Sequence, residues 1–264
     1  MLLGVLVAPQ PAVYAGENLI IGGSGTNLPV IRLLARAFTK AHPDITIDVP
    51  PSLGSTGGIR AVAEGAISLG LISRPLRRPE EYMGLTVRRY AKTALVIGVN
   101  FDVPDKGISS AELLEIYSGK KTLWKNKKEI IVLLRERGDS SIEVLKAKLP
   151  GFSEIYDECE RTRRWITLFT DQDMNRTIAS TPSAIGLTDG SSIVAERLRI
   201  KALRLNGVAP TPQNLHSGKY PLEKTLSFVF RKNKVTAAAM AFMDFVKSRE
   251  GVRILRENAC LPAD

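Results

Sequence analysis

Cysteine and histidine are almost absent from this chain of 264 residues: Cys159, Cys260, His42 and His216 are all there are. None of the four stands at metal-ligand spacing, so a zinc site is excluded as an organising feature and no metal or other cofactor is expected. A disulfide between the two cysteines is disfavoured, because they fall in different lobes of the layout derived below. Aromatic residues make up only 6% of the chain, and no recognition motif accompanies its basic residues, which argues against nucleic acid as the partner. No tract is of low complexity, and at 44% hydrophobic and 24% charged residues the composition is that of a globular chain, not a disordered one. No apolar run approaches the ~20 residues that a membrane-spanning helix needs.

What the sequence does carry is positive charge. Lys and Arg number 37 against 27 Asp and Glu, a formal net charge of +10, which favours an acidic partner. Basic pairs such as Arg77-Arg78, Arg88-Arg89, Lys120-Lys121 and Arg163-Arg164 are scattered and read as solvated surface. The length suggests about two domains. At the start, Met1 to Ala8 is apolar and uncharged, and Val13-Tyr14-Ala15 puts short side chains three and one positions before Gly16. Residues 1–15 are therefore expected to be a secretory signal cut after Ala15, truncated because no Lys or Arg precedes its apolar run. The alternative is an apolar first strand. Gly16, not cysteine, stands at the cut, so a lipid anchor is not expected.

The chain is organised around Leu19 to Pro75. The apolar run Leu19-Ile20-Ile21-Gly22-Gly23 reads as a buried strand; Ser24-Gly25-Thr26-Asn27 follows, and a helix opens at Leu28-Pro29. The arrangement repeats with the strand Ile45 to Val49, the turn Gly54-Ser55-Thr56-Gly57-Gly58, and a second helix. A strand that feeds a Gly/Ser/Thr turn opening a helix leaves backbone N–H groups unpaired, with hydroxyl donors and the positive end of the helix dipole beside them. Two such elbows from neighbouring strands would converge on one side of a sheet and could hold a small anion without a metal. The strand Ile67 to Ile72 completes a unit of three parallel strands with right-handed crossovers.

Farther along, Thr86 to Asn100 contains a long strand, and Ser109-Ser110-Ala111-Glu112 is a capping box for a helix ending at Gly119. The strand Glu129 to Leu134 leads into Arg135-Glu136-Arg137-Gly138-Asp139-Ser140-Ser141 and a helix from Ile142, a third elbow that adds an arginine. Helix is expected around Trp165 and Phe169 and again from Met174 to Ser180. Strands are expected at Ala184 to Leu187, Lys201 to Leu205 and Leu226 to Phe230, before a C-terminal helix from Val235 to Lys247. Trp124, Trp165 and Phe169 read as core.

Taken together, Ser24-Gly25-Thr26, Gly54-Ser55-Thr56-Gly57-Gly58, the run Ser109 to Lys120, Arg135 to Ser141, Ser183-Ala184-Ile185-Gly186 and Lys219-Tyr220-Pro221-Leu222 resemble, in order and spacing, the phosphate-binding proteins of bacterial ABC transporters. The similarity covers almost the whole chain after the leader. It implies an α/β fold: a two-lobed type II periplasmic binding-protein clamshell, each lobe a mixed, mainly parallel sheet flanked by helices. One lobe would comprise residues 16–98 plus 224–264 and the other 99–223. Carried over by motif, Thr26, Asn27 and Ser55 would contact the anion from one lobe, and Arg135, Asp139, Ser140 and Ser141 from the other. Ser73 and Arg74 stand where the family follows its third strand with Gly-Ala-Ser-Asp.

That position is a departure, since the family's aspartate accepts the proton of hydrogen phosphate and Ser73 cannot. Asp139 enters where the far-lobe pattern Arg-x-x-Gly-Ser-Gly-Thr has a hydroxyl; it either restores a proton acceptor or caps the helix from Ser140. Asn27 replaces a frequent aromatic. Phosphate leads among the ligands, with sulfate, molybdate and tungstate as alternatives. The resemblance implies a monomeric periplasmic receptor that closes on its anion and hands it to a membrane permease; a ligand-sensing module of the same fold, not coupled to transport, is the alternative. An enzyme is not expected: the chain has no phosphate-cradling Gly-x-x-x-x-Gly-Lys loop, no metal cluster and no Ser/His/Asp set with usable spacing. Thr26 and Ser55 could instead be plain helix caps, Arg135 a surface partner of Glu136 or Asp139, and Arg74 a solvent-facing residue at the rim.

Overall fold

The computed structural model describes residues 16–263, so the expected leader lies outside the described residues. The chain begins with β1 (Glu17–Gly23), α1 (Leu28–Ala41), β2 (Ile45–Asp48), α2 (Gly54–Glu64) and β3 (Leu69–Ile72). Leu28, Ile31, Leu34, Ala35 and Phe38 give α1 one buried stripe, and the helix stops at His42, ahead of Pro43, as the spacing predicts. β1 pairs in parallel with β2 on one side and β3 on the other, which is the expected three-strand unit. The run Gly54 to Gly58 is not a turn before α2 but its first turn. Gly58 serves packing: a Cβ there would come within 2.8 Å of the Gly23 Cα.

After the short α3 (Arg78–Glu81) comes β4 (Thr86–Asn100), then β5 (Gly107–Ile108) and α4 (Ser110–Ser118). The capping box forms as expected: Glu112 N–H donates to Ser109 Oγ (3.1 Å), and Ser109 N–H to Glu112 Oε2 (3.0 Å). β6 (Ile131–Arg135), α5 (Ser140–Lys148), α6 (Phe152–Thr162), β7 (Ile166–Leu168), α7 (Asp171–Ser180), β8 (Ala184–Asp189) and α8 (Gly190–Ala195) follow. The chain closes with β9 (Ile200–Ala202), β10 (Arg204–Leu205), α9 (Pro212–His216), β11 (Glu223–Phe230), α10 (Ala237–Lys247), α11 (Arg249–Glu257) and β12 (Cys260–Pro262). The helix expected around Trp165 and Phe169 is corrected: it ends earlier, at Thr162, and β-branched Ile166-Thr167 opens strand β7 along β6. Phe169 is 71% exposed, so it is not core; Trp124 is.

The main sheet runs β2-β1-β3-β11-β4-β8-β6-β7, parallel at both ends, with the antiparallel pair β11 and β4 at its centre. Two large cores lie along it. One gathers α1, α10 and α11 around Leu19, Tyr90, Phe228 and Phe242; the other gathers α4, α5 and α6 around Val96, Tyr117, Phe152 and Tyr156. The chain passes between them twice. Ala91 belongs to the first core and Ala94 to the second, ahead of the expected limit at Gly98; on the return, Leu222 belongs to the second and Leu226 to the first. The two passages lie side by side, with Thr93 paired to Lys224. Cys159 and Cys260 are free thiols, one buried in each core.

Candidate anion-binding site

The elbows that open α1, α2 and α5 meet where the two halves face each other. Ser73, at the end of β3, shares hydrogen bonds with Ser24 Oγ (2.7 Å) on its own side and Ser140 Oγ (2.8 Å) across the divide. Its N–H donates to Ser55 Oγ (3.2 Å). Thr26 and Ser55 are not caps: the N-cap positions are Asn27 and Leu53, and neither helix has a side-chain cap bond. Leu28 N–H is taken by the Gly25 carbonyl (3.2 Å), Pro29 has no N–H, and Gly54 N–H is taken by Ser52 Oγ (3.3 Å), so the donor capacity that an anion could use lies in the remaining first-turn N–H groups. In α5, by contrast, Asp139 is the cap, accepting from Ser141 N–H through Oδ1 (2.8 Å).

Sequence reasoning missed two charged residues that complete the cluster. Lys224, on the returning passage of the chain and 2% exposed, donates from Nζ to Thr26 Oγ1 (2.6 Å) and Ser141 Oγ (3.1 Å), one hydroxyl from each side. Asp171, at the start of α7, accepts from Thr26 Oγ1 through Oδ1 (3.2 Å) and lies 3.6 Å from Arg135 Nη2 and 3.9 Å from Lys224 Nζ. The carboxylate sits against the backbone of Gly25, where any Cβ would collide with it. A lysine in a strand and an aspartate opening a helix carry no local signal. Only the near-total burial of Lys224 on a central strand marks it out, and that burial follows from the sheet order.

Arg135 is not a surface residue. It is buried, donates from Nη2 to Asp139 Oδ2 (2.7 Å) and from Nη1 to the Leu168 carbonyl (3.3 Å), and its Nε has no acceptor among the described residues. Burial alone would push the Asp139 carboxyl up. The charges of Arg135 and Lys224, with hydrogen bonds from Arg135 and Ser141, outweigh burial and hold it well below the usual carboxylate range. Both oxygens of Asp139 are thus committed, and it remains ionised at neutral pH.

Asn27 is fully buried; its Oδ1 accepts from Tyr90 Oη (2.6 Å), and its Nδ2 is a second buried donor without an acceptor. Arg74 does not face solvent as expected for a rim residue. Its fork is locked on Glu80, both contacts 2.7 Å, and Nη2 also donates to Thr56 Oγ1 (2.9 Å). Burial raises the Glu80 carboxyl, but hydrogen bonds from Arg74 and from the Arg77 N–H, with the charges of both arginines, together outweigh it, and the net shift is downward. Among the described residues no group of His, Cys, Asp and Glu could hold a metal ion.

The arrangement therefore offers hydroxyls, two helix N-termini whose N-cap residues make no side-chain cap bond, an arginine and a lysine from both sides of a divide. Residues 9–250 match the model of the PBP superfamily domain. The chain belongs to the PBP superfamily. Within it, the chain is 29% identical over 243 residues to the phosphate-binding protein PstS of Bacillus subtilis, covering 89% of this chain and 77% of the relative. Its backbone matches that of a Clostridium perfringens protein described as a phosphate ABC-transporter substrate-binding protein and solved with bound phosphate, at a TM-score of 0.83 and 24% identity, covering 94% of this chain and 100% of the other. A more distant match, at a TM-score of 0.56 and 14% identity, is the Synechocystis CcmR regulatory domain in complex with 2-PG, covering 87% and 95%.

Proposed function

We propose that this chain is a non-catalytic receptor that captures a small oxyanion, phosphate first, by closing its two halves, and delivers it in the periplasm to the permease of an ABC transporter. One observation carries the reading. Hydroxyls and cations from both sides converge at Ser73, Thr26, Ser140, Ser141, Arg135 and Lys224, with buried donors on Asn27 and Arg135 left over. A ligand touched by both halves stabilises the closed form over the open one, which is how binding drives closure. The relative named phosphate-binding protein PstS supports phosphate as the anion. Among the described residues no helix is long and apolar enough to cross a membrane.

Calorimetry against phosphate, sulfate, molybdate and tungstate tests the proposal, with phosphate expected to bind most tightly. Arg135→Ala should weaken phosphate by on the order of 2–5 kcal/mol, because it removes a charged donor and leaves Asp139 buried without its partner. An isotherm unchanged by that substitution would take Arg135 out of the site.

A further inference from the structure

A recess of about 900 Å3 opens beside β4 and shares no residue with the site above. Among the described residues every ionisable side chain lining it is basic: Arg88, Arg89, Lys92, His216, Lys247 and Arg256. Arg88 is held by Asp244 (2.7 Å) and Lys92 by Glu223 (2.9 Å), and both of these acids stand outside the lining. Arg89 and Arg256 are exposed, and their side chains make no hydrogen bond or ion pair with any described residue. Basic pairs that look scattered in the sequence are thus brought together by the fold. Among the described residues the acids that offset these cations, Asp244 and Glu223, stand outside the lining, so the crowded charges repel and a multivalent anion relieves the repulsion.

The floor and walls say more. β11 covers one edge of β4 from Thr86 to Ala94, whereas β12 covers the other only from Ala91 to Thr93, leaving Thr86 to Arg89 without a strand on that side. One wall is α9, whose Leu215 belongs to the second core; the other is α11, whose Leu255 belongs to the first. Lys92, next to the passage between cores, lies between them. The recess therefore has one wall on each half of the molecule.

We infer that this recess is a second anion site, suited to a chain of closely spaced phosphoryl groups, a condensed phosphate, and that its occupancy is linked to closure of the oxyanion cleft. Its volume exceeds what a single oxyanion fills. Among the described residues no Phe, Tyr or Trp lines it, and a single imidazole, that of His216, offers little of the stacking surface that single-stranded nucleic acid uses. It is a concave slot between two helices, whereas a bilayer headgroup surface requires a broad, outward-facing array of cations. Because both halves contribute walls, linkage requires that any effect of the cleft ligand on this site be returned in equal measure.

The test is calorimetry with tripolyphosphate at low salt, with and without excess orthophosphate. It is run on the wild type, on Arg89→Glu combined with Arg256→Glu, on the milder pair Arg89→Gln with Arg256→Gln, and on Arg135→Ala. The expected result is saturable binding that falls with salt, is weakened at least ~10-fold by the double reversal and less by the neutral pair, is untouched by Arg135→Ala, and changes in affinity when orthophosphate is added. Tripolyphosphate binding that is lost in Arg135→Ala, or indifferent to both double variants, would overturn the site. So would arginine-dependent sedimentation with phosphatidylglycerol vesicles in the absence of any tripolyphosphate binding. Indifference to orthophosphate would overturn the linkage. A wild type that binds no orthophosphate sinks the receptor proposal instead, and the tripolyphosphate arm still reads the recess.

Discussion

At the centre of the cleft four formal charges balance: Arg135 and Lys224 against Asp139 and Asp171. The two acids differ in role. Asp139 is a structural carboxylate, cap of α5 and partner of Arg135, and its depressed pKa has a consequence for stability. A group whose folded pKa lies below its unfolded value stabilises the fold above the unfolded pKa, and loses that contribution as the pH falls through the folded one. Asp139→Asn should therefore cost on the order of 3–5 kcal/mol near neutral pH, since it strips a buried pair of one member. The gap between wild type and variant should stay level down to about pH 5 and shrink below about pH 4. Urea unfolding across that range measures it; a gap that widens on acidification would contradict the assignment. Asp171 caps nothing and faces the cations directly, so it opposes a fully ionised ligand. Asp171→Asn leaves the cluster with a net positive charge and should strengthen sulfate binding by ~10-fold or more, given ~4 kcal/mol between unit charges about 4 Å apart at an effective dielectric near 20. Sulfate titrations that overlay those of the wild type would remove Asp171 from the cleft.

At the scale of elements, the strands and helices that carry their own signals were readable. α1 has its stripe and its stop before Pro43, α4 its Ser109–Glu112 box, and β4 its apolar run. The three elbows were legible because Gly, Ser and Thr after an apolar run mark a helix start, and their convergence follows from parallel order. What was not legible depends on contacts distant in sequence. β7 reads as helix because its three residues have no room for a period, and only pairing with β6 makes them strand. β12 exists because it lies along β4. Lys224 and Asp171 reach the cleft through the sheet path and not through any motif. Gly58 shows the same difference, reading as a turn residue while serving as the contact that seats α2 on β1 and β3. Gly58→Ala should push α2 outward, cost about 1–3 kcal/mol and, by moving Ser55 off Ser73, weaken anion binding as well. Thermal unfolding and calorimetry together decide it: a destabilised variant with undiminished affinity would mean that the α2 elbow does not touch the ligand.

For the whole molecule, the question is what holds the two halves together and what lets them part. Their sheet is continuous only through β4 and β11, and both passages are single strands that change cores within a few residues, so Thr93 and Lys224 mark the natural axis of bending. Across the cleft the contacts are of two kinds. At the rim, Arg77 reaches the Glu143 carboxylate and the Gly138 carbonyl, but both charged side chains are more than a third exposed. Such a pair contributes about 0–1 kcal/mol and is screened by salt. Inside, Lys224 ties Thr26 to Ser141 in a buried network, where losing the ammonium also leaves Asp171 and Asp139 with too little positive charge. Closure is therefore expected to depend on the axis and not on the rim. Lys224→Met should weaken phosphate at least ~30-fold, about 2 kcal/mol, and abolish the compaction that small-angle scattering detects when phosphate is added. Arg77→Ala should shift affinity by no more than a few-fold at low salt and not at all in about 0.5 M salt. If Arg77→Ala proves as damaging as Lys224→Met, the rim pair is the latch and the hinge-strand lysine is only a structural tie.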